Sequence, residues 1–161
     1  MTSTISPSSP GSGAAVPPLR REVLVDAGPD LAFRVFTDRI AAWWPLGDHS
    51  VHGAEATVSF VDPGMGARIV ESKTGADNAV WGTVTHWEPG ELIAFSWHPG
   101  KSADEASRVT VTFEETDGKT LVTLEHGGWE IFGEHAAQAR EEYDHGWPVV
   151  LRRYVEQVAA G

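Results

Sequence analysis

His126 is the side chain in this sequence best suited to handle a proton, and it stands in the run Glu125-His126-Gly127-Gly128-Trp129-Glu130. Imidazole titrates near neutrality, so a neutral His126 in a cavity wall could orient a ligand or exchange a proton. The same ring could instead be hydrogen-bonded to tie the last strand to the loop after it. Strand alternation decides where it points: if Val122 and Leu124 face inward, so does His126, and Glu125 faces out. Arg140 and Glu130 are expected to form an ion pair that braces this loop. Seven tryptophans are the other resource. Flat, rigid aromatic walls with a few polar tips suit a planar or hydrophobic small molecule, and they serve equally as plain core.

Other chemistries lack their residues. The histidines have one closely spaced pair, His49-Ser50-Val51-His52, without an HExxH pattern or a third ligand, so no metal site is expected. With no cysteine there is no thiolate nucleophile and no disulfide framework. No Gly-x-Ser-x-Gly elbow is present. Gly64-Met65-Gly66 lacks the third glycine and the following helix of a dinucleotide loop, and reads as a hairpin turn. No cofactor is implied, and no residue set compels catalysis.

The elements that would hold these residues follow from periodicity. Residues 19–26 alternate as a first strand, and Gly28-Pro29-Asp30 breaks it. Leu31, Phe33, Val35 and Phe36 then take helical spacing to about Arg39, and residues 40–45 read as a second short helix closed by Pro45. From there the period is two: 56–61, 67–72, 79–88, 91–98, 108–115 and 120–126 are six strand candidates. Short turns such as Pro89-Gly90 and Asp117-Gly118 separate them, so the order implies an antiparallel meander. Tyr143, Trp147, Val150, Leu151, Tyr154, Val155 and Val158 recur at steps of three and four, one apolar stripe on a helix ending near Ala160. Pro148 lies within that pattern, so the helix kinks or restarts there. A sheet with one apolar face and a helix with one apolar stripe must cover each other. The class is α+β, a curved antiparallel sheet of six to seven strands around a long C-terminal helix, and that clasp is expected to enclose a pocket.

At 161 residues the chain suits one domain, residues 19–161. Residues 1–18 are Ser, Pro, Gly and small residues and are expected to form a disordered tail. The formal charge of −11 repels phosphate backbones, so neither nucleic acid nor an anionic membrane is an expected partner. No basic start with an apolar run marks a signal peptide, and no stretch has the length of a membrane span; the cytoplasm is the expected location.

In order and spacing the motifs resemble the START-like, or SRPBCC, superfamily, in particular the group related to the C-terminal domain of the activator of Hsp90 ATPase. The matching residues are Ala32-Phe33-Arg34-Val35-Phe36-Thr37 with Trp43-Trp44-Pro45, then Trp81-Gly82-Thr83-Val84 with Pro89, Leu92 and Phe95-Ser96-Trp97, and the ending from Glu125 through Trp129, Gly133, Arg140, Tyr143 and Trp147 to Leu151. The resemblance implies a helix-grip fold whose pocket would be lined by Trp43, Trp44, Phe60, Trp81, Phe95 and Trp97. His126, Trp129, Tyr143, Trp147, Leu151 and Tyr154 would complete it. It implies binding of a hydrophobic or aromatic small molecule without an obligatory cofactor. Two alternatives stay open: a polyketide cyclase/dehydratase-like enzyme using His126 and Tyr143, and a protein-interaction or stress-response module of the Hsp90 co-chaperone kind. A homodimer is compatible with each.

Overall fold

The computed structural model describes residues 16–160, so the expected tail lies, up to residue 15, outside the described residues. Seven strands form one antiparallel sheet: β1 (Leu19–Val25), β2 (Thr57–Val61), β3 (Arg68–Ser72), β4 (Ala79–Glu88), β5 (Leu92–Trp97), β6 (Ser107–Thr116) and β7 (Lys119–Gly127). In space the order is β1-β7-β6-β5-β4-β3-β2, so β2 to β7 are a meander and only β1 crosses over to pair with the last strand. The crossing chain carries α1 (Pro29–Thr37) and α2 (Ile40–Trp43). The C-terminal helix α3 (Ala136–Ala160) lies on the concave face.

The turn chemistry explains the tight pairing. Asp117 and Gly118 both take positive φ, 53° and 82°, between Thr116 and Lys119, which pair directly. Two successive left-handed residues give the twist of the type I′ hairpin, and Asp-Gly is a favoured pair for it. Gly82 answers a different demand: a Cβ there would lie 1.7 Å from the Ser96 carbonyl oxygen, so β4 and β5 could not close with any other residue.

Alternation then sorts the faces. Ser107, Val109, Val111 and Phe113 of β6 and Val122, Leu124 and His126 of β7 are buried, while Glu125 is exposed. Against that face α3 sets Trp147, Val150, Leu151, Tyr154 and Val158, all buried. The Tyr154 hydroxyl donates to the Ala32 carbonyl at 2.7 Å and joins α3 to α1. Leu151 is 2% exposed, so Leu151→Ala is expected to lower stability by about 2–5 kcal/mol in urea denaturation. A loss below about half a kcal/mol would mean that the site collapses around the smaller side chain without leaving a cavity.

Four local features differ from the sequence expectation. The helix begins at Ala136, ahead of the apolar stripe, and a 3₁₀ segment, Trp129–His135, leads into it. Pro148 lies inside the continuous helix and does not restart it. Proline cannot donate to the carbonyl four residues back, and that carbonyl, of Asp144, accepts instead from Arg21 of β1 at 3.1 Å, while the same guanidinium pairs with the Asp144 carboxylate. Arg140 does not pair with Glu130. Its guanidinium donates to the carbonyls of Pro17 at 2.7 Å and Pro18 at 3.3 Å, fixing the start of the described chain beside α3, and Glu130 faces Arg108 at 4.0 Å instead. Val16, placed in the tail by composition, packs against the core.

Candidate functional site

The space between sheet and helix is filled along most of its length. Trp43 and Tyr154 meet at 5.1 Å between ring centroids, and Phe36 closes on both. Trp44 touches Trp81 at 5.1 Å and Trp97 at 5.7 Å, forming a second cluster farther along the groove. Beyond it, at one end of the grip, the packing stops and leaves an open cavity of about 380 Å³. Its walls are Trp44 from the α2 end, Trp97 with Pro99 and Gly100 from the β5 end, and Tyr143, Gly146, Trp147 and Val150 from α3. Residues 48–51 form the rim.

The back wall is set by a hydrogen-bond chain through His126. The Trp147 indole N–H donates to His126 Nδ1 at 3.0 Å. That places the imidazole proton on Nε2, which donates to the Ser107 hydroxyl at 2.7 Å, and Ser107 donates to the Trp97 carbonyl at 3.2 Å. Both ring nitrogens are therefore committed. Trp129 and Tyr143 cover the ring, at 4.2 and 4.6 Å between centroids, and His126 has no exposed surface. Burial pushes its pKa down from 6.5 to about 3. His126 lies behind the cavity wall as a neutral ring that orients Trp147, and it has no free nitrogen for proton exchange.

The rim depends on Glu71, which sequence reasoning did not single out. Its side chain has no exposed surface, and its carboxylate accepts three N–H groups: Trp81 Nε1 at 2.9 Å, Val51 N at 2.8 Å and His52 N at 2.7 Å. One buried anion thus pins the rim loop to a core tryptophan, a charge-assisted arrangement stronger than neutral hydrogen bonds. The Trp44 indole donates to the His49 carbonyl at 2.7 Å and adds a second anchor. The available signal was an acid two residues after Ile69 in a strand, hence on the inward face.

Of the twelve residues expected to line a pocket, the structure brings Trp44, Trp97, Tyr143 and Trp147 to the cavity. Trp81, His126 and Trp129 stand directly behind them. Trp43, Tyr154 and Leu151 belong to the deeper core, and Phe60 meets Phe95 at 6.4 Å farther along the sheet. Pro99, Gly100, Gly146, Val150 and the rim residues complete the lining and were not on the expected list. His49 and His52, the closely spaced pair, separate: the His49 ring lies 3.6 Å from where a Cβ on Gly146 would sit, and His52 Nε2 bonds the Asp77 carbonyl at 2.9 Å. Among the described residues no three His, Asp or Glu side chains converge as a metal site, and no helix is long and apolar enough to cross a membrane.

A seven-stranded antiparallel sheet gripping a long C-terminal helix defines the helix-grip, SRPBCC-type class. Within it the chain belongs to the family described as Activator of Hsp90 ATPase homolog 1-like protein, which matches residues 26–159. The structure is similar to the self-sacrificing resistance protein CalC from Micromonospora echinospora, with TM-score 0.64 and 22% identity over 88% of this chain and 94% of that one. It is also similar to Txn09, an anthrahydroquino-gamma-pyrone synthase, with TM-score 0.59 and 27% identity over 89% of this chain and 97% of that one. An Aha1 dimer from Colwellia psychrerythraea aligns with TM-score 0.61 and 15% identity over 89% of this chain and 96% of that one. No curated protein matches the sequence.

Proposed function

We propose that this protein binds a hydrophobic or aromatic small molecule in the cavity at the open end of the grip. The observation that carries this reading is the cavity itself. About 380 Å³ is bounded on three sides by Trp44, Trp97, Tyr143 and Trp147. A concave space of this size between rigid aromatic walls has the character of a ligand site. Its volume, near the lower end of the usual range for ligand pockets, suits a planar molecule of a few fused rings.

Binding of a tricyclic aromatic should quench tryptophan fluorescence and raise the melting temperature by mass action. Val150 is a buried wall residue, and Val150→Trp would fill the cavity from α3. That variant is expected to lose at least about tenfold in affinity, equivalent to about 1.4 kcal/mol, while exposed Glu141→Ala leaves binding unchanged. Unaltered titration curves for Val150→Trp would remove the cavity from consideration.

A second reading, a cyclase-type enzyme, draws on the likeness to Txn09. In this chain it would have to work through Tyr143, because the nitrogens of His126 are occupied and sealed. The binding reading needs no proton carrier and is the one we favour.

A further inference from the structure

Among the described residues two buried indole N–H groups lack a well-formed hydrogen bond, those of Trp97 and Trp129. They differ in place. Trp129 lies behind the wall, between His126 and Phe132, whereas Trp97 forms the wall itself. A buried donor without a well-placed acceptor is unfavourable, and the Trp97 N–H, sealed from solvent, has its candidate acceptor within the wall.

The polar neighbour of the Trp97 N–H is the Tyr143 hydroxyl, approached outside good hydrogen-bond geometry. A phenol can accept at oxygen while donating its own proton. The Tyr143 O–H has no acceptor among the described residues. The nearby rim hydroxyl of Ser50 already donates to the Leu46 carbonyl and accepts from Gly53 N. Burial raises the Tyr143 pKa above its ordinary value, so the phenol keeps its proton through neutral and mildly alkaline solution. No Lys or Arg lines the cavity, and Asp48 stands on its rim, so nothing in it favours an anionic ligand. The complement to this wall is an uncharged oxygen on the edge of a flat, apolar ring system.

We propose, building on the binding reading above, that Tyr143, its oxygen faced by the Trp97 N–H, donates its own hydroxyl proton to one carbonyl oxygen of the ligand, and that the cavity selects aromatic ketones or quinones over hydrocarbons of the same shape.

Fluorene and fluorenone, which share a tricyclic frame and differ by one carbonyl, make the test. Tryptophan quenching of the full chain should show fluorenone binding about tenfold more tightly than fluorene, the scale of one hydrogen bond inside a dry site. Tyr143→Phe keeps the ring and its contacts and removes only the hydroxyl, whose polar neighbour among the described residues is the Trp97 N–H. It is expected to reduce the preference to within about threefold by weakening fluorenone alone. Equal affinity for the two compounds in the unmodified protein would overturn the carbonyl site and leave the aromatic pocket standing, as would a preference that survives Tyr143→Phe. Failure of both compounds to bind would overturn the pocket and the carbonyl site together.

Discussion

Replacing His126 by phenylalanine is expected to produce stability curves that cross as the pH is lowered. At neutral pH the variant loses the acceptor of the Trp147 N–H and leaves that buried donor unpaired, at a cost of about 1–3 kcal/mol. Below neutrality the sign changes. In the native protein His126 stays neutral until about pH 3, whereas its ordinary value is 6.5. Between those two values the unfolded chain binds a proton that the folded chain does not. The unmodified protein therefore loses stability as pH falls through this window, by up to about 1.4 kcal/mol per pH unit from this one group. The phenylalanine variant lacks the group and keeps only the slope of the remaining residues. Urea denaturation at several pH values measures both. Parallel curves down to pH 4 would show that His126 is not the buried neutral ring described above.

Glu71→Gln should give the second large effect, and a more local one. The carboxylate faces three donors, and an amide replaces one accepting oxygen with a further donor. One of the three N–H groups must then face an N–H₂, at a cost of about 1–3 kcal/mol. Because two of the three belong to Val51 and His52, the strain falls on the rim loop more than on the sheet. Amide exchange at Val51 and His52 should accelerate strongly while that of β6 and β7 changes little. Ligand affinity should fall as well, since Val51 lines the cavity. A variant with unchanged exchange at these two amides would mean that the rim is held by the Trp44 and Ser50 contacts alone.

The elements themselves were legible in the sequence. Period-two alternation with strong turn pairs placed six strands of the meander within a residue or two, and an alternating segment after Pro18 gave the seventh. The inward direction of His126 followed from Val122 and Leu124. The start of α3 was not legible from periodicity, because Ala137 to Glu142 carries no apolar stripe and lies mostly exposed. That segment is helical by propensity, being rich in Ala, Gln, Arg and Glu, a signal that a search for stripes passes over.

Residue types alone told that aromatics would crowd one side of the sheet, since the hydrophobic pattern of each strand and of α3 depends only on local spacing. They did not tell which aromatics would touch each other and which would border empty space. That distinction depends on long-range geometry. The β4–β5 closure at Gly82 and the Arg21 contact that lets α3 continue through Pro148 are made by residues far apart in the chain or on separate strands. The same holds for Glu71, whose partners lie 10 to 20 residues away, and for the His126 chain, which joins β6, β7 and α3. Local sequence determined the strands, the helices and the apolar faces because these follow from the alternation and propensity of neighbours. Only the tertiary structure decided that the core would fill most of the grip and leave an aromatic-walled cavity at its end, because packing density is set by side chains that meet only after the sheet has closed on the helix.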